Sequence, residues 1–326
     1  MKRILFLFGV LCLFSACRSG AALLPNVSGK AGEVVVVIER QDWEGTLGTV
    51  VRETLAADCP YLAQKEPLYS LVNVAPGAFG NLFKMHRNIL YFNLDAALDT
   101  VSLLCRSDVW ARPQCVVQLS APDAERAASA LRELAPRMLA EIEQAERNRV
   151  IANALLYEEK SIFPRIAEVF GGSPHFPSGY KVKKLSEHFA WVADDKQYTM
   201  QDVLLYRYPA TGDADAFSLE QIVARRNEIL KENVPGMFEN TWMTTSTSFM
   251  PPTVEYLKYK GRAFAQTRGL WEVQNDFMGG PFVSHTFYSQ DGRDILVLEA
   301  FVYAPRFDKR QYLRQVESLL YSWEWK

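Results

Sequence analysis

The chain has 326 residues, is 48% hydrophobic and 12% aromatic, and carries 36 Lys and Arg against 38 Asp and Glu. That length suits one large domain or two ordinary ones, and the composition is that of a globular protein with ample core. The mildly acidic balance argues against nucleic-acid binding, which needs a basic surface.

Met1, Lys2 and Arg3 make a short positive start, followed by an apolar run from Ile4 to Phe14 and then Ser15-Ala16-Cys17. About eleven apolar residues form a helix of roughly 16 Å, too short for a ~30 Å hydrocarbon core. Residues 1–16 therefore read as a secretory signal peptide. Cys17, directly after two small residues, resembles the bacterial lipobox, in which the sulfur receives diacylglycerol before cleavage. Phe14 stands where Leu is usual, and the plainer alternative is an ordinary signal peptide with an incidental cysteine. Cys12 is a poorer acceptor because bulky Val10 and Leu11 precede it. Cleavage removes two of the 36 basic residues, leaving 34 against 38 acidic ones. Acyl chains contribute about 0.8 kcal/mol per buried CH2, enough in combination to hold a soluble body at a membrane. Residues 17–32 then read as a tether reaching about 55 Å at ~3.5 Å per residue. No other run approaches the length of a spanning helix.

Residues 33–170 read as an N-terminal α/β lobe. "EVVVVIE" (33–39) is the continuous β-branched run of a strand covered on both faces. Asp42 is placed to cap a helix whose Leu47, Val50, Val51 and Leu55 share a stripe. Further strands are expected at 68–74, 89–94 and 115–119. Ser120 is the expected cap of a long helix running through Leu131, Leu134, Met138 and Ile142 towards Phe170, with Pro136 and Pro164 expected to kink or divide it. Its Glu141, Glu143, Arg147 and Arg149 read as a solvated face.

"GGSPHFPSGY" (171–180) is the strongest punctuation in the chain and marks the start of a C-terminal α+β lobe, 171–326. Strands are expected at 189–192, 203–208, 254–259, 263–273, 282–288 and 295–303. Ser218 and Gln221 form a capping-box pair for a helix in which Arg226 is the polar intruder. A last helix begins near Asp308. The expected class is α+β: two α/β-type lobes, each a mixed or antiparallel sheet covered by helices, joined by a long helical segment.

Chemistry is sparse. Cys59, Cys105 and Cys115 read as three buried, inert thiols, with a Cys105–Cys115 bridge as the alternative. The four histidines show no metal spacing, so neither metal nor cofactor is expected, and no catalytic residue is assigned. His285 reads as a satisfied core imidazole. Ser284 beside it points to the opposite face of a strand, which weakens any triad with Asp276.

Three polar clusters stand at strand entries: "PYLAQKEPLYSL" (60–71), "KMHRNIL" (84–90) and "DVWARPQ" (108–114). With the lipobox and "GEVVVVIE", their order resembles a lipoprotein family of the Bacteroidota, the domain-of-unknown-function 4837 family. The matching positions are Gln64, Glu66 and Pro67, then Arg87, Asn88 and Ile89, then Trp110, Ala111, Pro113 and Gln114. The resemblance covers nearly the whole mature chain and brings no activity. It implies an outer membrane, and the absence of acidic residues just after Cys17 favours the periplasmic face.

From the residues themselves, Arg87 and Glu66 read as an ion pair ordering the strand entries, with Asn88 or Gln114 satisfying turn backbone. The alternative is a polar groove of Gln64, Glu66, Arg87, Asn88, Trp110 and Gln114 that binds a peptide, glycan or partner. The functional expectation is a non-enzymatic binding or assembly module, held to the membrane through acylated Cys17 and meeting envelope proteins or cell-wall glycan. A periplasmic hydrolase acting on cell-wall glycan or peptide is the alternative.

Overall fold

Four consecutive valines, Val34 to Val37, set the first sheet. Val34 and Val36 enter one core, while Val35 and Val37 enter a smaller one on the opposite face. β-Branched side chains suit such a pleated, doubly covered surface. The computed structural model describes residues 23–213 and 215–326. The expected signal peptide and Cys17 lie outside the described residues.

Strand β1 (Glu33–Val37) lies between β2 (Ser70–Val74) and β3 (Asn88–Leu94), with β4 (Ser102–Ser107) and β5 (Cys115–Ala121) completing the order β2-β1-β3-β5-β4. All pairings are parallel except β4 with β5. Helices α1 (Arg40–Glu44) and α2 (Thr46–Leu55) link β1 to β2, and α2 buries the expected Leu47, Val50, Val51 and Leu55. Asp42 lies inside α1 and does not cap the longer helix, which starts after extended Gly45. The short α3 (Asn81–Lys84) crosses the far face on the way to β3.

Helix α4 (Ala124–Leu156) is capped by Asp123, whose carboxylate accepts from Arg126 N at 2.8 Å, not by Ser120. Strand β5 runs on to Ala121, so Ser120 is still pairing with its neighbours. Pro136 does not divide the helix. It sits on the exposed side, where the carbonyl it leaves free can meet water. The break falls at residues 157–161, so Pro164 occupies the first turn of α5 (Ile162–Phe170), where no helical N–H is required.

The C-terminal sheet is antiparallel. Its order is β10 (Met243–Ser246), β12 (Arg262–Val273), β13 (Gly279–Tyr288), β14 (Asp294–Tyr303), β9 (Thr199–Pro209), β8 (Phe189–Lys196) and β7 (Lys181–Leu185), with β11 (Thr253–Tyr259) also paired to β12. A small ladder joins β6 (Gly172–Ser173) to β15 (Glu324–Trp325). Helices α5 and α7 (Arg310–Leu320) bury their apolar sides in the core on one face. On the other face lies α6 (Leu219–Asn233), whose Ser218 cap accepts from Gln221 N as expected. Two mixed or antiparallel sheets with covering helices make the protein α+β.

Three details differ from expectation. Residues 26–28 are already bound to the body, through bridges of Asn26 with Arg112 and Ser28 with His86, so the free tether ends well before residue 32. Only Cys115 of the three thiols is fully buried, while Cys59 and Cys105 are half-buried. Burial pushes Cys115 up to about 12 and Cys59 up to about 11, so both stay protonated and unreactive near neutrality. His285 is buried against Phe264 and Tyr321, but its Nδ1 has no partner. Burial, then the charges of Arg262, Arg268 and Arg147, hold it well below the ordinary histidine value, hence neutral.

Candidate functional site

The polar residues singled out in the sequence fall into two groups. Glu66 is buried, and its two carboxylate oxygens accept from Lys309 N at 2.7 Å and Arg310 N at 2.8 Å. It therefore closes the open N–H end of α7, a carboxylate against the positive end of a helix. Gln64 Oε1 accepts from Lys309 Nζ at 3.0 Å. This segment fastens the N-terminal sheet to the last helix of the chain. The expected Arg87–Glu66 ion pair is absent because each residue has another partner.

Arg87, Asn88 and Gln114 meet at the other group. Asn88 is fully buried; its Nδ2 donates to Glu33 O and to Glu146 Oε1, at 3.0 and 2.7 Å. Its Oδ1 accepts from Arg149 Nη1 at 3.0 Å. Arg149 also donates to Pro113 O and Arg87 O. Glu146 in turn accepts from Arg87 at 3.2 Å and Arg149 at 3.0 Å. Gln114 donates to the carbonyls of Lys84 and His86, both at 2.7 Å, and accepts from Trp110 N at 2.9 Å. The turn-satisfying role expected of Asn88 or Gln114 falls to Gln114, while Asn88 bonds strand β1 and the long helix. Trp110 itself packs edge-on against Phe79, away from this cluster.

Helix α4 supplies the partners that sequence reading missed. Of its expected solvated face Glu141 is exposed, whereas Glu143, Arg147 and Arg149 are engaged. Glu143 accepts from Tyr69 at 2.7 Å and from Arg314 at 3.2 Å, while the Arg147 guanidinium lies 3.7 Å from the Tyr321 ring centre. Burial alone would raise Glu143, but the Arg314 charge and the Tyr69 hydrogen bond hold it below the ordinary carboxylate value. Arg268 donates to Glu317 nearby. One signal was available. Glu146 sits four residues after buried Ile142, a carboxylate on an otherwise apolar stripe.

Between the two sheets these elements leave a cleft of about 490 Å³. Arg87, Glu146, Arg149 and Asn153 form one wall, Gln311 and Gln315 of α7 another, and Tyr180, Asp194, Lys196 and Gln201 the C-terminal side. Both carboxylates are engaged, Glu146 as above and Asp194 by Lys196 at 2.8 Å. By contrast, Arg87 Nε and Gln311 Oε1 are buried without a partner. Of the residues expected in a groove, Arg87 alone lines this cleft; Asn88 and Gln114 brace it from behind, and Gln64, Glu66 and Trp110 lie elsewhere. The cleft is lined by amide, hydroxyl and guanidinium side chains beside neutralised charge, an arrangement for holding a polar ligand.

The chain belongs to the domain-of-unknown-function 4837 family (DUF4837), whose model matches residues 159–322. A model of a further domain of unknown function, DUF8532, matches residues 27–154. The polar motifs at 64–66, 87–89 and 110–114 thus fall in the second segment, and the family match rests on the C-terminal half. No curated protein matches the chain. Among solved structures, one from Bacteroides thetaiotaomicron is similar at 10% identity, covering 48% of this chain and 45% of its own, with a TM-score of 0.26. The chain therefore spans less than half of that protein. The Ran-binding protein Mog1p of Saccharomyces cerevisiae is 10% identical over 47% of this chain and 89% of its own, with a TM-score of 0.30. Human STARD10 is 7% identical over 50% and 80%, with a TM-score of 0.24.

Proposed function

We propose that this member of the DUF4837 family is a lipid-anchored envelope protein, held at the periplasmic face of an outer membrane through Cys17. In this reading the cleft between its sheets binds cell-wall glycan bearing a carboxylate. The observation that carries the binding role is the polar lining of the cleft, amide side chains beside the Arg87 guanidinium, with the charges of both carboxylates already engaged. Amide side chains offer a donor and an acceptor on one group, matching sugar hydroxyls, and Asn153, Gln201, Gln311 and Gln315 present four of them. A guanidinium on the cleft wall suits a carboxylate. The cleft volume lies in the usual range of ligand sites.

The same geometry supports binding over hydrolysis. A glycosidase needs one carboxyl group able to carry a proton and a second free to attack or to activate water. At the cleft, Glu146 is held by two arginines and Asn88, and Asp194 by Lys196. Incubating the intact protein with purified peptidoglycan separates the two roles. Retention of soluble glycan without release of new fragments is the expected result, and steady fragment release with time overturns it in favour of a hydrolase.

A further inference from the structure

The N-terminal sheet has one face covered by α2 and α4, while among the described residues the other carries α3, the turn before it, and the loop of Val109 and Trp110. On that thinly covered face Leu82 is 71% and Leu104 49% exposed, and beside them lie Tyr91, Lys84 and Arg106. Leu104 and Arg106 face this way because they pair with Gln118 and Val116 of β5, and Val116 belongs to the core of this face. The chain enters here too. Pro25 O accepts from Arg112 N at 2.8 Å, and the preceding Leu23 is 98% exposed. Gln114 ties the two places together, bonding Lys84 O on one side and Trp110 N on the other.

We infer that this face of the N-terminal sheet lies on the phospholipid leaflet that holds the anchor, with Leu23, Leu82 and Leu104 against the acyl boundary. The inference rests on acylation of Cys17, the reading given above. Its argument is the length of chain before the first bound residue. From Cys17 to Pro25 are eight steps, at most about 28 Å when extended, whereas α4 alone, with 33 residues, is about 50 Å long. So short a link keeps the entry point, and not the C-terminal sheet, near the bilayer. Leucines beside aromatic and basic side chains are the composition that settles at a membrane–water boundary. Lys84, Arg106 and Arg112 supply the basic groups, with Asp108 neutralising Arg112 at 3.4 Å. The C-terminal sheet then stands on the far side of the molecule from the leaflet.

The test uses the full lipoprotein in vesicles of phosphatidylethanolamine and phosphatidylglycerol. Bimane is placed at Leu82→Cys or at Asp291→Cys, with Cys59 and Cys105 replaced by serine, and headgroup-region doxyl lipids are added. Asp291 is in the β13–β14 turn, at the opposite end of β14 from the segment that meets the N-terminal sheet. At least threefold stronger quenching at position 82 is expected. Amide exchange of the unmodified lipoprotein gives a second reading, with slowing at residues 102–107 and none at 289–294 when detergent is replaced by vesicles. Acylated Cys17 with equal quenching and unchanged exchange overturns the surface alone. An unacylated Cys17, seen by mass spectrometry, overturns the anchor and the surface together.

Discussion

The N-terminal sheet, with three parallel pairings, draws its polar partners from elsewhere, whereas the antiparallel C-terminal sheet holds its own. Within the C-terminal half, Arg226 of α6 and Glu299 of β14 form a two-pronged ion pair at 2.7 and 2.9 Å, both fully buried, with Thr245 accepting from the remaining arm of Arg226. In the N-terminal half, Asn88 and Arg87 depend on Glu146 and Arg149 of the long helix, and Glu66 gives its carboxylate to α7. The difference teaches that the C-terminal sheet buries its ion pair with a helix on its own face, while the N-terminal strand entries are finished by the long helix α4 and, across the joint, by α7. Polar residues at those strand entries hold a joint.

The comparison is broken most severely at the ion pair. Arg226→Met leaves Glu299 buried and uncompensated, which should cost about 3–5 kcal/mol in urea unfolding. Adding Glu299→Leu should restore most of that loss, since two apolar side chains replace two charges. A double variant as unstable as the single one would mean the pair organises the lobe in a way packing cannot replace.

Glu146→Ala should cost about 3 kcal/mol, because Arg149 and Asn88 lose their shared acceptor in a buried place. Here the location of the effect matters as much as its size. Amide exchange should quicken in β3 and β5 while β13 and β14 keep their protection. Equal loosening of both sheets would contradict a role for Glu146 confined to the N-terminal strand entries.

Asp202 makes a pH prediction confined to the C-terminal sheet. Burial first, and then the Asp195 charge, push it up to about 7 against the opposing hydrogen bond from Trp191. An acid that holds its proton more tightly when folded than its ordinary 3.8 allows is best tolerated below about pH 4. Stability should therefore fall as pH rises from about 4 to about 7, then level off. Asp202→Asn should flatten that slope in a melting series, and an unchanged slope would assign it to other groups.

The helix closure contributes less. Glu66→Ala removes both acceptors at the start of α7 and should cost about 1–2 kcal/mol. Gln64→Ala, which loses one bond to a partly exposed lysine, should cost about 0.5 kcal/mol. Both are read by chemical unfolding, and a reversed order would mean that Gln64 carries the joint.

The elements legible in the sequence were those with a covered face. Val34–Val37, the stripe of α2, the Ser218 cap and the long central strands of the C-terminal sheet all showed in residue patterns. The strands that escaped notice are β4, β7 and β10, each at a sheet edge, and the two-residue β6 and β15. An edge strand such as "KVKKL" is half-exposed and rich in lysine, so no regular apolar pattern marks it. The site was legible only in part. Arg87, Asn88 and Gln114 stand out as polar residues at strand entries, but the partners of Arg87 and Asn88 lie about sixty residues away on α4, and long-range pairing leaves no local pattern. Arg226 was visible as an intruder, while Glu299 hid in a strand of apolar neighbours.

The claim that the cleft is a binding site meets its most direct test in titration calorimetry with a soluble, carboxylate-bearing cell-wall glycan fragment. Arg87→Lys keeps a cation beside Glu146 but removes the planar guanidinium from the cleft wall. The expected result is measurable binding by the unaltered protein and at least tenfold weaker binding by the variant, with the melting temperature within a few degrees. Equal affinity in both proteins, or no binding by the unaltered one, would contradict the account.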